Sequence, residues 1–218
     1  MGEPTRMPGT PPRGLRGDVA RLFSARGTHG GRPSLWLALQ RAITRPGPLA
    51  IVLYRLSHRL WVSGLRTPAE IVWRLNLFLT GADIHPGAEI GGGLRLTHTS
   101  GLVIGSGARV GSNVTLLHEV TLGGSSRGFF DEGFTDGFPE VGDDTKIGAG
   151  AKLLGPIRVG KGCFIGANAV VAKDVADGEV VTAGREASSL VRRIEQLEEE
   201  LRSLRDVVAR GDAAGPDA

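Results

Sequence analysis

The chain has 218 residues, 34 of them Gly, with a single Cys and a formal net charge of +3. One cysteine excludes an intrachain disulfide and favours a reducing compartment, so a cytoplasmic location is expected. No apolar run reaches the about 18 residues that suggest a membrane span, and the N-terminus shows no compact apolar signal core.

The charge is uneven. Residues 1–76 hold 12 Arg and three acids, whereas residues 77–218 hold 14 Lys or Arg and 20 acids. A basic half can meet an acidic ligand, a membrane surface or nucleic acid. No nucleic-acid recognition module accompanies it, so a solvated Arg-rich face is the simpler reading and no nucleic-acid partner is expected.

Residues 1–33 are rich in Gly, Pro, Arg and Thr and are expected to be disordered. Residues 34–80 read as a helical collar. A first helix is expected over 34–45 with Ser34 as N-cap, stopped by Pro46-Gly47-Pro48. A second runs from about Leu49 to Val62, with Leu49, Val52, Leu53, Leu56 and Leu60 at helical spacing and Gly64 as its stop. A third runs from Pro68 to Leu79 with Thr67 as N-cap. The apolar stripe beside Arg55, Arg59 and Arg66 is expected to pack within the collar rather than lie on a membrane.

The long middle of the chain, residues 81–187, has a period of six. Ile84, Ile90, Leu96 and Leu102 form one run, and Ile104, Val110, Leu116 and Leu122 form a second, shifted by two. Val141, Ile147, Leu153, Val159, Ile165 and Val171 form a third. Six fits neither a helix nor a simple strand, but it is the signature of a parallel β-helix. Each hexapeptide gives one short strand and one turn, and three close a triangular coil of about 18 residues with the aliphatic residue inside. One coil cannot bury its apolar face alone, but a stack can. Residues 123–140 break the phase and must loop out, carrying Phe129, Phe130, Phe134 and Phe138. Long loops on repeat folds often carry function; this one either covers a site or anchors a neighbouring subunit. Cys163 reads as a small structural residue.

Residues 188–210 change character. Leu190, Ile194, Leu197, Leu201, Leu204 and Val208 are spaced 4, 3, 4, 3, 4, an a/d seam. Such a helix either self-associates in an oligomer or folds back on the prism; self-association is the expectation. Residues 211–218 are expected to fray.

The residues able to do chemistry gather at the irregularities. Asp83 and His98 are 15 residues apart, a little under one coil, which places them on neighbouring coils at a similar corner. A carboxylate that accepts from one imidazole nitrogen leaves the other free to take a hydroxyl proton. A corner His satisfied by local hydrogen bonds is the alternative. His118 lies one coil beyond His98, within possible reach of the same site, although a structural role is the simpler one. A zinc site needs three converging histidines, and His85, His98 and His118 lack a close pair, so no metal is expected.

Several stretches resemble the serine acetyltransferase family of hexapeptide acyltransferases. They are Tyr54–Leu60, Gly81–Pro86, Thr97–Gly101, Val120–Gly124, Ile147–Gly155 and Ile165–Val171. The resemblance implies a left-handed β-helix, a homotrimer, and acetyl-CoA bound between neighbouring subunits. It implies that His98 is the general base and Asp83 its orienting carboxylate, and that the acceptor hydroxyl attacks the thioester directly. By the same resemblance Gly123, Gly124, Ala149, Ala167 and Lys173 are cofactor-contact positions. Thr97 and Phe138 occupy acceptor-contact positions but depart from the family's Asp and His, and Gly137 stands in place of its Arg. An O-acetyltransferase acting on serine or a serine-like small alcohol is therefore expected. The alternatives are a sugar or specialised-metabolite hydroxyl as acceptor, or a trimeric scaffold without catalysis.

Overall fold

In the computed structural model the described residues are 18, 44–124, 137–184, 196–199 and 201–202. Residues 34–43 of the expected first helix, residues 125–136 of the loop, the expected frayed tail 211–218 and all of the segment 1–33 but Asp18 fall outside them; Asp18 and Thr44 are helical. The chain divides into two units, residues 1–182 and residues 183–218. In the second unit residues 196–199 and 201–202 are helical, with Leu197 and Leu201 exposed. The remainder of the a/d seam lies outside the described residues.

Among the described residues of the first unit, α1 (Pro46–Val62) and α2 (Arg66–Thr80) precede fourteen short strands. The strands run from β1 (Ala82–Ile84) to β14 (Val180–Val181), all paired in parallel in three sheets. Sheet A holds β1, β4 (Leu102–Ile104), β7 (Thr121–Gly123), β10 (Lys152–Leu154) and β13 (Val170–Val171). Sheet B orders β2 (Glu89–Ile90), β5 (Arg109–Val110), β8 (Glu140–Val141) and β11 (Arg158–Val159), and sheet C orders β3 (Arg95–Leu96), β6 (Thr115–Leu116), β9 (Lys146–Ile147), β12 (Phe164–Ile165) and β14. The period-six residues become the columns inside this left-handed prism. Ile84, Ile104, Leu122, Leu153 and Val171 stack in sheet A. Ile90, Val110, Val141 and Val159 stack in sheet B, and Leu96, Leu116, Ile147, Ile165 and Val181 in sheet C. All but Val181 are buried. Cys163 is buried as well, its Sγ 3.0 Å from Ala176 O.

The coils differ in length. Ala82 pairs with Leu102, 20 residues on; Val103 with Thr121, 18; Thr121 with Lys152, 31; Lys152 with Val170, 18; and Phe164 with Val180, 16. The phase slip at Thr97–Val103 is thus two extra residues in the first coil. The break at 123–140 is the extra length of the third.

The collar departs from expectation in three ways. α1 starts at Pro46 rather than at about Leu49, since proline fits the first turn, where its missing N–H costs nothing. α2 starts at Arg66, with Leu65 rather than Thr67 as N-cap, because Arg66 N–H bonds Gly64 O and Ala69 N–H bonds Leu65 O. The buried face is also not the aliphatic stripe. Gly47, Ala50, Ile51, Tyr54 and Ser57 of α1 face inward, while Val52 and Leu56 are exposed. In α2 the buried residues are Ala69, Asn76 and Thr80, whereas Ile71, Leu75, Phe78 and Leu79 are exposed, Phe78 to 86%.

Close approach to the prism explains this choice. A Cβ on Gly47 would stand 2.4 Å from Leu96 O. Polar groups then fasten the seam. Tyr54 Oη donates to Ala88 O at 2.7 Å, and burial pushes its pKa far above the usual phenol range. Asn76 Nδ2 donates to Ala50 O. Arg55 Nε donates to Asp18 at 2.9 Å and Arg55 Nη1 to Ile90 O, while Asp18 accepts Leu94 N–H at 3.0 Å. Asp18 is 1% exposed, so this is a paired, hydrogen-bonded buried charge.

Candidate active site

Six of the candidate residues, His98, His118, Ala149, Ala167, Gly124 and Lys173, fall into two rows along sheet A. The register of sheet C aligns Leu96, Leu116, Ile147 and Ile165. Two residues past each come His98, His118, Ala149 and Ala167. They therefore form one vertical row at the corner entering sheet A. Backbone bonds tie this corner together: Gly150 N–H donates to His118 O and Asn168 N–H to Ala149 O. The corner is conformationally demanding, since Glu119 and Asn168 have φ of 57°.

A second row stands at the exit corner of the same sheet. Two residues past Ile104, Leu122, Leu153 and Val171 come Ser106, Gly124, Gly155 and Lys173.

The His98 and His118 rings stand edge to face, their centroids 5.8 Å apart and their planes at 79°. Nδ1 of His118 is buried and has no hydrogen-bond partner among the described residues. Buried polar groups are almost always paired, so this nitrogen marks a place where something must be supplied. His98 and Thr97 line a cavity of about 380 Å³ with Arg45–Pro48, Ile51 and Leu94–Leu96.

Asp83, Gly123, Gly124 and Phe138 line another cavity, of about 410 Å³, with Trp73, His85, Ser106 and Leu154 among its walls. The expectation that Asp83 and His98 occupy a similar corner is corrected by the register. Asp83 pairs with Val103 in mid-strand, whereas His98 lies at the corner five residues before Val103. The 20-residue first coil, longer than the assumed repeat, is the reason. Asp83 Oδ1 accepts from Trp73 Nε1 at 2.8 Å, a contact with no signal in the hexad pattern because Trp73 belongs to α2.

His85 also belongs to this wall. Burial lowers its pKa. Nδ1 accepts from Gly87 N–H at 2.9 Å, so the neutral ring carries its proton on Nε2, and the edges of Trp61 and Trp73 close around it. Among the described residues no group of three or more His, Cys, Asp or Glu side chains is placed to hold a metal ion.

With this geometry in hand, similarity places the chain among acyltransferases of the hexapeptide class. Residues 138–173 match the bacterial transferase hexapeptide family (six repeats). The chain is 44% identical over 169 residues to a serine acetyltransferase of Mycobacterium tuberculosis, covering 77% of this chain and 68% of that one. It is 41% identical over 140 residues to that of Helicobacter pylori, covering 64% and 79%. The chain belongs to the serine acetyltransferase family.

Solved structures agree on the fold. Neisseria gonorrhoeae serine acetyltransferase in complex with serine superposes with a TM-score of 0.62 at 37% identity, covering 75% of this chain and 63% of that one. The soybean apoenzyme gives 0.66 at 32% identity, covering 78% and 65%. The chain thus spans somewhat less than two thirds of those solved chains.

Proposed function

We propose that this protein is an acetyl-CoA-dependent O-acetyltransferase acting on the hydroxyl of a small alcohol, with His98 as general base. The observation that carries the reading is the His98–His118 pair, with an unpartnered buried nitrogen beside the candidate base. Serine, named by the relatives, is the first acceptor to test.

In this scheme His98 removes the acceptor's hydroxyl proton as its oxygen bonds to the acetyl carbonyl carbon. The carbon–sulfur bond then breaks, and the proton passes from His98 to the departing thiolate. The register sets Asp83 in mid-strand, away from the His98 corner, so the scheme assigns it no contact with the imidazole. His118 packs edge to face on the His98 ring and holds its orientation. Backbone N–H groups at Gly123 and Gly124 face the charge that develops on the carbonyl oxygen.

The exit row suits a long, polar acyl carrier. Gly123, Gly124 and Gly105 line the cavity without projecting side chains, and Lys173 at the end of that row supplies positive charge for a phosphate. Ala149 and Ala167 leave the entry row open above the two histidines. The rows lie on opposite edges of sheet A in one chain. A groove between neighbouring subunits of a trimer would bring one subunit's entry row against the next subunit's exit row.

His98→Ala is expected to lower turnover of acetyl-CoA by about 10²–10⁴-fold with its melting curve unchanged, measured by thiol release. Turnover within a few fold of the parent protein would remove His98 from the mechanism.

A further inference from the structure

The cavity that holds His98 has two walls. One is β3 with the residues around it, Leu94–His98; the other is the start of α1, Arg45–Pro48 with Ile51. Leu96 points into the prism, so Arg95 and Thr97 on either side of it point out, on the same face. The walls are fixed against each other where Gly47 meets Leu96, since a Cβ on Gly47 would stand 2.4 Å from Leu96 O. Arg45 precedes Pro46 and is extended, with φ of −125° and ψ of 128°, as the proline after it favours. It therefore stays outside the helix, at the cavity.

The charge here is positive. Arg45 and Arg95 both line the cavity, and neither forms an ion pair among the described residues. Both are exposed, so solvent satisfies them without a protein partner. No acid stands in the first turn of α1, and the positive end of its dipole adds to the same potential. Two guanidiniums around a cavity of about 380 Å³ suit one small anion.

A separate observation concerns Gly137, which stands where the family has an Arg. Its φ is 95°, a conformation that residues with a side chain rarely adopt. A Cβ there would meet Pro156 Cβ at 3.0 Å. The backbone at 137 thus excludes an unstrained Arg, and a counter-charge for the acceptor has to come from another element.

We infer that Arg45 and Arg95 hold the carboxylate of a serine-like acceptor beside His98 and are specificity-determining residues, an inference that rests on the acetyltransferase reading above. Guanidinium forks meet a carboxylate through paired N–H donors. With the carboxylate at the arginines, the hydroxyl lies a short carbon chain away, on the wall that carries His98. The anion anchor has passed from the loop to the junction of collar and prism. A phosphate of the acyl carrier has the same anionic chemistry, and the kinetics separate the two.

The test is thiol release from acetyl-CoA by the full chain with L-serine, L-serine methyl ester and 2-aminoethanol, beside calorimetric binding of acetyl-CoA. L-serine is expected to exceed both carboxylate-free alcohols in kcat/KM by about tenfold or more. Arg45→Gln and Arg95→Gln should each raise the KM for L-serine by about 10–100-fold and leave the KM for acetyl-CoA in place. Arg95→Lys, which keeps the charge, should recover part of the loss, and unchanged melting curves guard against a folding defect. An unchanged KM for L-serine in both Gln variants overturns the inference. So does a rise in the KM for acetyl-CoA instead, which would give the arginines to a phosphate, and so does a carboxylate-free alcohol as the better acceptor. A protein that binds acetyl-CoA but turns over none of the three also overturns it. Absence of acetyl-CoA binding overturns the acetyltransferase reading itself, and this inference with it.

Discussion

The imidazole of His85 is clasped between two indole edges and held by Gly87 N–H, so its protonation costs a hydrogen bond and a desolvated charge. Its folded-state pKa lies below the ordinary value of 6.5. The unfolded chain takes up a proton near pH 6.5, and the folded ring resists until lower pH. The unfolded state therefore binds more protons in that window, and stability falls as pH drops below about 6.5. Thermal midpoints from pH 7.5 to 5.5 should fall more in the parent protein than in His85→Gln. Equal slopes would show that the ring does not titrate differently in the two states. In the sequence His85 stands only as one of three histidines without a close pair, and its place in the cavity wall is not legible there. That place depends on Trp73 and Trp61, which come from the helices and sit outside the hexad frame. His98 and His118 were easier to find, because each follows a column residue by two and so inherits its position from the repeat.

At the scale of the element, the collar shows how propensity and burial part company. The apolar spacing in α1 was enough to predict a helix and not enough to predict which face is buried. The β-helix offers a surface of backbone turns, not a greasy groove, and a helix approaches it best through Gly, Ala and Ser. Gly47 is the tightest point, at 2.4 Å between a hypothetical Cβ and Leu96 O. Gly47→Ala should destabilise the protein by about 1–3 kcal/mol through overpacking, although alanine is the better helix former. Leu56→Gln, on the exposed stripe of the same helix, should stay within about 0.5 kcal/mol. Urea melts of both variants decide the matter: a larger loss from Leu56→Gln would mean that the outward stripe is the packed one in solution. The charged exterior of sheet B illustrates the same separation. Arg109 sits 3.8 Å from Glu89 and 2.8 Å from Glu140, and Arg158 is 3.4 Å from Glu140. These exposed pairs are worth only about 0–1 kcal/mol each, so the ladder decorates the face that the buried columns hold.

For the whole molecule, stability is close to a sum over neighbouring coils. The period of six revealed these columns nearly residue by residue, because each inward position must match the one above it. What the period could not reveal was coil length, since a corner absorbs extra residues without moving the columns. Leu153 lies between Leu122 and Val171 and is fully buried. Leu153→Ala should cost about 2–5 kcal/mol, and Val181→Ala, at the last coil and half-buried, much less. Equal costs in a denaturant titration would contradict the column picture.

The 31-residue coil carries a consequence of a different kind. Thr121 and Lys152 remain hydrogen-bonding neighbours across it, as if the intervening chain were absent. Coil length and column register are thereby uncoupled. A corner can take in a long excursion of the chain while the pairs above and below it keep their places. A fold of this kind can therefore acquire new surface without rebuilding its core.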